Sequence, residues 1–133
     1  MHKIAKQVQT IYDSYPVKIR RNLLKVREII YSVALENEEI GAIEETLKWG
    51  EPSYLTHSPK SGTTIRLGTV KNSKTEFSIS VHCQTSLISD FKILHPELNY
   101  EKNRSLIFST DTAVPFQTIR LFIYLALRYH LKN

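Results

Sequence analysis

The sequence predicts an α+β domain in which helices at both ends of the chain pack on an antiparallel β-sheet. Three successive spacings of apolar residues along the chain lead to this prediction. Apolar residues recur about every fourth position over residues 4–47, every second position over residues 54–81, and about every fourth position again after Pro115. The outer two spacings are typical of amphipathic helices and the middle one of half-buried strands. With 133 residues and no linker-like stretch, one domain over residues 1–133 is expected.

Three helices are expected before the sheet. The first covers residues 4–12, and the second begins at Tyr15-Pro16, because proline is favoured in a first helical turn. A third ends at Gly50, which tolerates a left-handed C-terminal cap, and Pro52 prevents it from continuing. The apolar stripes of these helices are Ile4, Val8 and Ile11; then Ile19, Leu23, Val26, Ile30 and Val33; then Ile40, Ile43 and Leu47.

The middle of the chain predicts three antiparallel strands. Residues 54–56 form the first, and residues 65–67 and 77–81 form a hairpin around a turn at residues 71–74. A helix with Leu87, Phe91 and Leu94 should follow, and then two short strands at residues 98–101 and 105–108. A last helix should run from Pro115 to about residue 130. It is apolar on more than one side, so a homodimer contact is one way to cover its extra face.

Composition limits the function classes. The formal charge of +5 tolerates a polyanionic partner, but Lys18, Arg21 and Lys25 lack interleaved aromatic residues and match a solvated helix face, so nucleic acid is not the expected partner. The chain begins without a signal-peptide pattern, and Cys83 is its only cysteine, so a cytoplasmic location is expected. The longest apolar run, residues 121–127, is about a third of a membrane span, so no membrane partner is expected.

No motif for catalysis or metal binding stands out. The five histidines do not recur at metal-ligand spacing, and no Gly-x-Ser-x-Gly or phosphate-binding glycine loop occurs. We therefore expect neither an enzyme nor a cofactor, and we assign no catalytic residue and no metal ligand. One group of carboxylates could hold hard cations loosely or form a solvated face: Glu36, Glu38, Glu39, Glu44 and Glu45.

The tract at residues 49–54 is the candidate ligand site. Gly50 and Pro52 fix a tight backbone path, and the amphipathic rings of Trp49 and Tyr54 flank it. Arg66 could offer its guanidinium fork to a carboxylate or phosphate from the same cleft. The alternative is that the two rings only pack the core. The sequence thus predicts a site for an unknown small anionic ligand at Trp49, Tyr54 and Arg66, with Gly50 and Pro52 as structural residues.

Several segments resemble the YdhG-like family of domains of unknown function, the most distinctive being residues 42–54, AIEETLKWGEPSY. Residues 15–24, 27–30, 62–66, 82–87 and 126–130 agree, so the resemblance covers nearly the whole chain. It implies helices packed on an antiparallel sheet, somewhat like frataxin.

Most members of the family have no assigned activity, which favours a non-catalytic module that binds a small ligand or a protein. One branch is regarded as an iron chaperone, so a frataxin-like iron carrier is the alternative. That branch ends a central strand with Phe-Tyr-Pro, where this sequence has VHCQT at residues 81–85.

Overall fold

The computed structural model describes residues 2–131 and confirms the α+β class. Its helices are α1 (Lys6–Ser14), α2 (Val17–Glu36), α3 (Leu87–Leu94) and α4 (Phe116–Leu127). Its strands are β1 (Glu44–Lys48), β2 (Glu51–Leu55), β3 (Ile65–Thr69), β4 (Glu76–Ser80), β5 (Asn99–Glu101) and β6 (Ser105–Ser109). They form one sheet in the order β1-β2-β3-β4-β6-β5, with antiparallel neighbours throughout.

Helix α2 lies where its apolar stripe predicted it. Every residue of that stripe, from Ile19 to Val33, is buried, and Lys18, Arg21 and Lys25 are exposed. Helix α1 starts at Lys6, two positions after the predicted start, and buries Val8 and Tyr12. Arg27 of α2 is also completely buried. The apolar stripe gave no indication of this.

Residues 44–48 form strand β1, so the helix predicted from Ile40, Ile43 and Leu47 is wrong. Two backbone features explain the difference. Gly41 has φ +85°, which interrupts a helix after the short 3₁₀ turn Glu38–Ile40. Residues 44–48 then pair with β2 over five positions, from Glu44 opposite Leu55 to Lys48 opposite Glu51. The alternation of the strand turns Glu45 and Leu47 towards the helices.

The two faces of the sheet differ in side-chain size. The face under the helices carries buried apolar residues: Tyr54, Ile65, Leu67, Phe77, Ile79, Leu106 and Phe108. On the outer face, strand register aligns one row across five strands: Thr46, Ser53, Arg66, Ser80 and Ser105. Arg66 lies between the small residues Ser53 and Ser80 in this row, which continues to Glu101 of β5.

The loop between β2 and β3 packs closely on the end of α4. Thr63 donates its backbone N–H to the carbonyl of Ala126 at 3.0 Å, and His130 donates to the carbonyl of Ser61 at 2.8 Å. Between these bonds, a Cβ on Gly62 would stand 2.5 Å from the Cα of Leu127. The helix ends at Leu127, earlier than predicted, and its backbone approaches the loop as closely as a glycine allows.

Helix α3 covers part of the second apolar side of α4, where Leu121 stays exposed. The rings of Phe91 and Phe122 meet edge to face with their centroids 5.1 Å apart, whereas Leu94, predicted in the same stripe, is exposed. Cys83 is exposed in the loop after β4. Over residues 2–131, no helix combines the length and apolar character needed to cross a membrane.

Candidate functional site

The candidate site is built on the two-residue turn that joins β1 to β2. Both central residues have positive φ, +51° at Trp49 and +74° at Gly50, which is the signature of a type I′ turn. The left-handed geometry predicted for Gly50 is present, but it closes a β-hairpin and does not cap a helix. Nothing lies within 4 Å of a Cβ built on Gly50, so backbone conformation, not space, favours glycine there.

Trp49 occupies an unfavourable backbone conformation for a bulky residue. A positive φ is uncommon outside glycine and costs on the order of 1 kcal/mol or more when the residue is large. The side chain gains little packing in return, because 84% of Trp49 is exposed. Its indole faces the Arg66 guanidinium, whose Cζ lies 5.2 Å from the ring centroid, within the range of a cation–π contact.

Arg66 reaches Trp49 from the outer face of β3 and also pairs with Glu51 of β2. Its Nη1 donates to Oε1 of Glu51 at 3.0 Å, and both side chains are half-buried. Burial raises the pKa of the Glu51 carboxyl, and the guanidinium of Arg66 opposes that shift. Trp49, Glu51 and Arg66 therefore form a compact cluster with one ring, one carboxylate and one cation.

Tyr54 does not belong to this cluster. It alternates with Ser53 along β2, so it points to the helix face, opposite to Arg66, and it is completely buried. The structure thus brings together two of the three predicted site residues, Trp49 and Arg66, and places Tyr54 on the opposite face of the sheet. The prediction failed because it assumed a helix up to residue 49, which gave no basis for assigning β2 side chains to faces.

Pro52 lies within strand β2 and does not follow a helix as predicted. It is buried opposite Leu47, and it has no N–H to offer to β3. The backbone pairing of β2 with β3 covers only Ser53 and Tyr54. Beyond that pairing, the carbonyl of Leu67 accepts a hydrogen bond from the hydroxyl of Tyr15 at 3.3 Å.

Tyr54 is instead part of a buried polar network that the sequence did not reveal. Its hydroxyl donates to Oε2 of Glu45 at 2.8 Å and lies 2.5 Å from the hydroxyl of Tyr12. Burial raises the pKa of both tyrosines, so both hydroxyls stay protonated at neutral pH. The ring of Tyr54 also meets that of Tyr31 edge to face.

Arg27 neutralises Glu45 at the other end of this network. All five N–H groups of its guanidinium are hydrogen-bonded: two to the carboxylate of Glu45, one to Glu28, and one each to the backbone carbonyls of His2 and Lys3. Every N–H donor of Arg27 has an acceptor, and the charges of Arg27 and Glu45 are paired. We therefore interpret the network as structural support for β1 and the N-terminal segment, and not as a reactive site.

Four of the carboxylates considered for a loosely bound cation lie beside basic side chains. Glu36, Glu39 and Glu45 form ion pairs with Arg120, Arg128 and Arg27, and Oε1 of Glu44 lies 2.8 Å from Nε2 of His57. Within the described part of the chain, no three His, Cys, Asp or Glu side chains come together in a way that could hold a metal ion. The geometry therefore offers no specific observation for the iron-carrier alternative.

Comparison of the chain with protein-family models, with curated proteins and with solved structures gives no match. A function for this chain is therefore inferred from the geometry of the Trp49, Glu51 and Arg66 cluster. Of these residues, sequence reasoning selected Trp49 and Arg66 and missed Glu51. Glu51 could have been found from its position two residues after Trp49, at the start of the strand that follows the turn.

Proposed function

We propose that this chain is a non-catalytic binding module whose ligand lies on the outer sheet face at Trp49 and Arg66. The ligand has an apolar body, which stacks on the open face of the indole, and an anionic head, which pairs with the guanidinium. As parts of the same proposal, we assign the module to the cytoplasm and, on the resemblance of residues 42–54, to the YdhG-like family.

The conformation of Trp49 carries this proposal. An exposed tryptophan in a hairpin turn contributes little to the core, yet it holds a strained backbone conformation and contacts a half-buried arginine. Strained residues persist where the surrounding structure enforces them, and they concentrate at ligand-binding sites. Aromatic residues and arginine are also the side chains that contribute most to recognition surfaces.

Fluorescence of Trp49, the only tryptophan, tests the proposal directly. Cyclohexanecarboxylate and cyclohexyl phosphate supply an apolar body with either anionic head and absorb little light, and cyclohexanol is the neutral comparison. We expect a saturable change with at least one anion and none with the alcohol. Arg66→Ala should weaken binding roughly tenfold or more, because hydrogen bonds to charged groups contribute about 1.5 to 3 kcal/mol.

Charge-preserving substitutions separate the guanidinium from net charge. Arg66→Lys keeps the charge but loses the planar fork, so it should also weaken binding. Arg21→Lys, on the exposed face of α2, is the matched control and should leave affinity unchanged. An affinity that Arg66→Ala does not alter, in a variant with native circular dichroism, would place the ligand elsewhere and contradict the proposal.

A further inference from the structure

The carboxylate of Glu51 lies where a side chain on Gly68 would otherwise be. Gly68 and Arg66 share the outer face of β3, and a Cβ built on Gly68 would overlap Oε2 of Glu51 and stand 2.6 Å from its Cδ. The space above Gly68, beside Arg66, thus already holds a carboxylate. We call this space, between Gly68 and Arg66, the carboxylate seat.

Glu51 uses only part of the hydrogen-bonding capacity of the Arg66 guanidinium. A guanidinium can bind a carboxylate through two parallel hydrogen bonds, but over residues 2–131 the contact between the two side chains is the single bond from Nη1 of Arg66 to Oε1. The tether of Glu51 to β2 sets this one-point geometry. A carboxylate that is not tethered to the strand could approach the fork in plane and use two of its donors.

The other charged or titratable groups near Glu51 are those of Lys48 and Tyr15, and neither occupies the carboxylate seat. Lys48 lies opposite Glu51 in the β1–β2 register and is exposed, and the Tyr15 hydroxyl is donated to the carbonyl of Leu67. Burial raises the pKa of Glu51, so its ionised form is less stable in this position than in water. Release of the Glu51 side chain to solvent removes that cost.

We propose that Glu51 is an intramolecular occupant of the carboxylate seat and that the ligand's own carboxylate takes its place when the Glu51 side chain swings out to solvent. This inference rests on the proposed function and narrows it, because it selects a carboxylate over a phosphate. The space above Gly68 already holds a planar group with two oxygens, and a tetrahedral phosphate has a third oxygen to place there.

Formate and acetate are the probes, and Glu51→Ala is the variant that empties the seat. We expect both anions to raise the melting temperature of Glu51→Ala saturably, at constant ionic strength and relative to chloride, and to bind it more tightly than the native chain, because the tethered competitor has been removed. Phosphate should have a smaller effect than acetate.

Two further variants control the geometry. Gly68→Ala combined with Glu51→Ala fills the vacated space with a methyl group and should abolish the response to acetate. Glu51→Gln keeps the seat filled by a neutral side chain of the same shape and should not gain the response that Glu51→Ala gains. If acetate binds Glu51→Ala no better than the native chain, or if Gly68→Ala leaves that binding unchanged, the inference is overturned.

Failure of this inference is distinguishable from failure of the proposed function. Acetate uptake by Glu51→Ala, with no response of native Trp49 to larger anions, would support the seat and contradict the binding module. A larger anion that binds native protein at Trp49, with no gain of acetate binding in Glu51→Ala, would support the module and overturn the seat.

Discussion

The guanidinium of Arg27 and the carboxylate of Glu45 form a bidentate ion pair in the interior, with Nε 2.6 Å from Oε2 and Nη2 3.2 Å from Oε1. The pair joins the middle of α2 to the edge strand β1. It is also the point at which the N-terminal segment is attached, because Arg27 donates to the carbonyls of His2 and Lys3.

Substitution of Arg27 by methionine should destabilise the protein by about 3 to 5 kcal/mol, since it leaves a buried carboxylate without its partner. Urea denaturation measures the loss. Combining Arg27→Met with Glu45→Gln should cost less than the sum of the two single changes, because the second change removes the stranded charge. A single-variant loss below about 0.5 kcal/mol, the range of neutral surface changes, would show that the pair contributes no net stability.

Tyr54→Phe should reduce stability without altering ligand binding at Trp49. The lost hydroxyl leaves Tyr12 and Glu45 with one hydrogen bond fewer in a buried network, which costs about 1 to 3 kcal/mol. Because Tyr54 lies on the helix face, the affinity for a bound anion should stay within twofold of native, roughly the error of such a titration. Stability and affinity that fall together would mean that the two faces of the sheet are coupled.

The Arg27–Glu45 pair and the position of Tyr54 could not be predicted from sequence patterns, although much of the fold could. Apolar periodicity located α2, β3, β4 and α4, because burial of a continuous stripe determines those elements. It failed at β1, where Ile43 and Leu47 fit a helix as well as a strand, and only pairing with β2 decides between them. It could not reveal that Glu45 is buried, because a buried carboxylate depends on Arg27, 18 positions earlier in the chain.

Trp49→Asn is expected to separate folding from function in the hairpin turn. Asparagine followed by glycine is the preferred pair for a type I′ turn, so the change should keep or increase stability, by up to about 1 kcal/mol. Ligand binding should be lost with the indole, as measured by calorimetry with cyclohexanecarboxylate. If the variant loses more than about 1 kcal/mol, Trp49 serves mainly to hold the fold together.

Gly62→Ala should be among the most damaging small substitutions in the chain. The added methyl would meet the backbone of α4, at 2.5 Å from Leu127 Cα and 2.7 Å from the Ala126 carbonyl oxygen, and neither atom can move independently. Overpacking of this kind costs about 1 to 3 kcal/mol. Gly50→Ala is the comparison, because there the methyl meets no atom within 4 Å and only the positive φ opposes it. Equal losses in the two variants would contradict the close approach.

Glu51 should give stability a pH dependence of defined sign. Its folded pKa is raised above the ordinary value of about 4.3, so the folded state holds the proton more tightly than the unfolded state. Its contribution is therefore fully present below the unfolded pKa and is lost as pH rises through the folded pKa. In urea titrations, the native chain should lose stability relative to Glu51→Gln over that range. A difference that is constant with pH would mean that Glu51 titrates normally.

The exposure of Trp49 has a practical consequence for any study of this protein in solution. An indole that is 84% exposed in the folded state is surrounded by water both before and after unfolding, so its emission should change little when the chain denatures. Tyr12 and Tyr54 are completely buried, so their contribution to the near-ultraviolet circular dichroism should be lost on unfolding. Unfolding is therefore better followed by tyrosine circular dichroism, and ligand binding at the surface by the emission of Trp49.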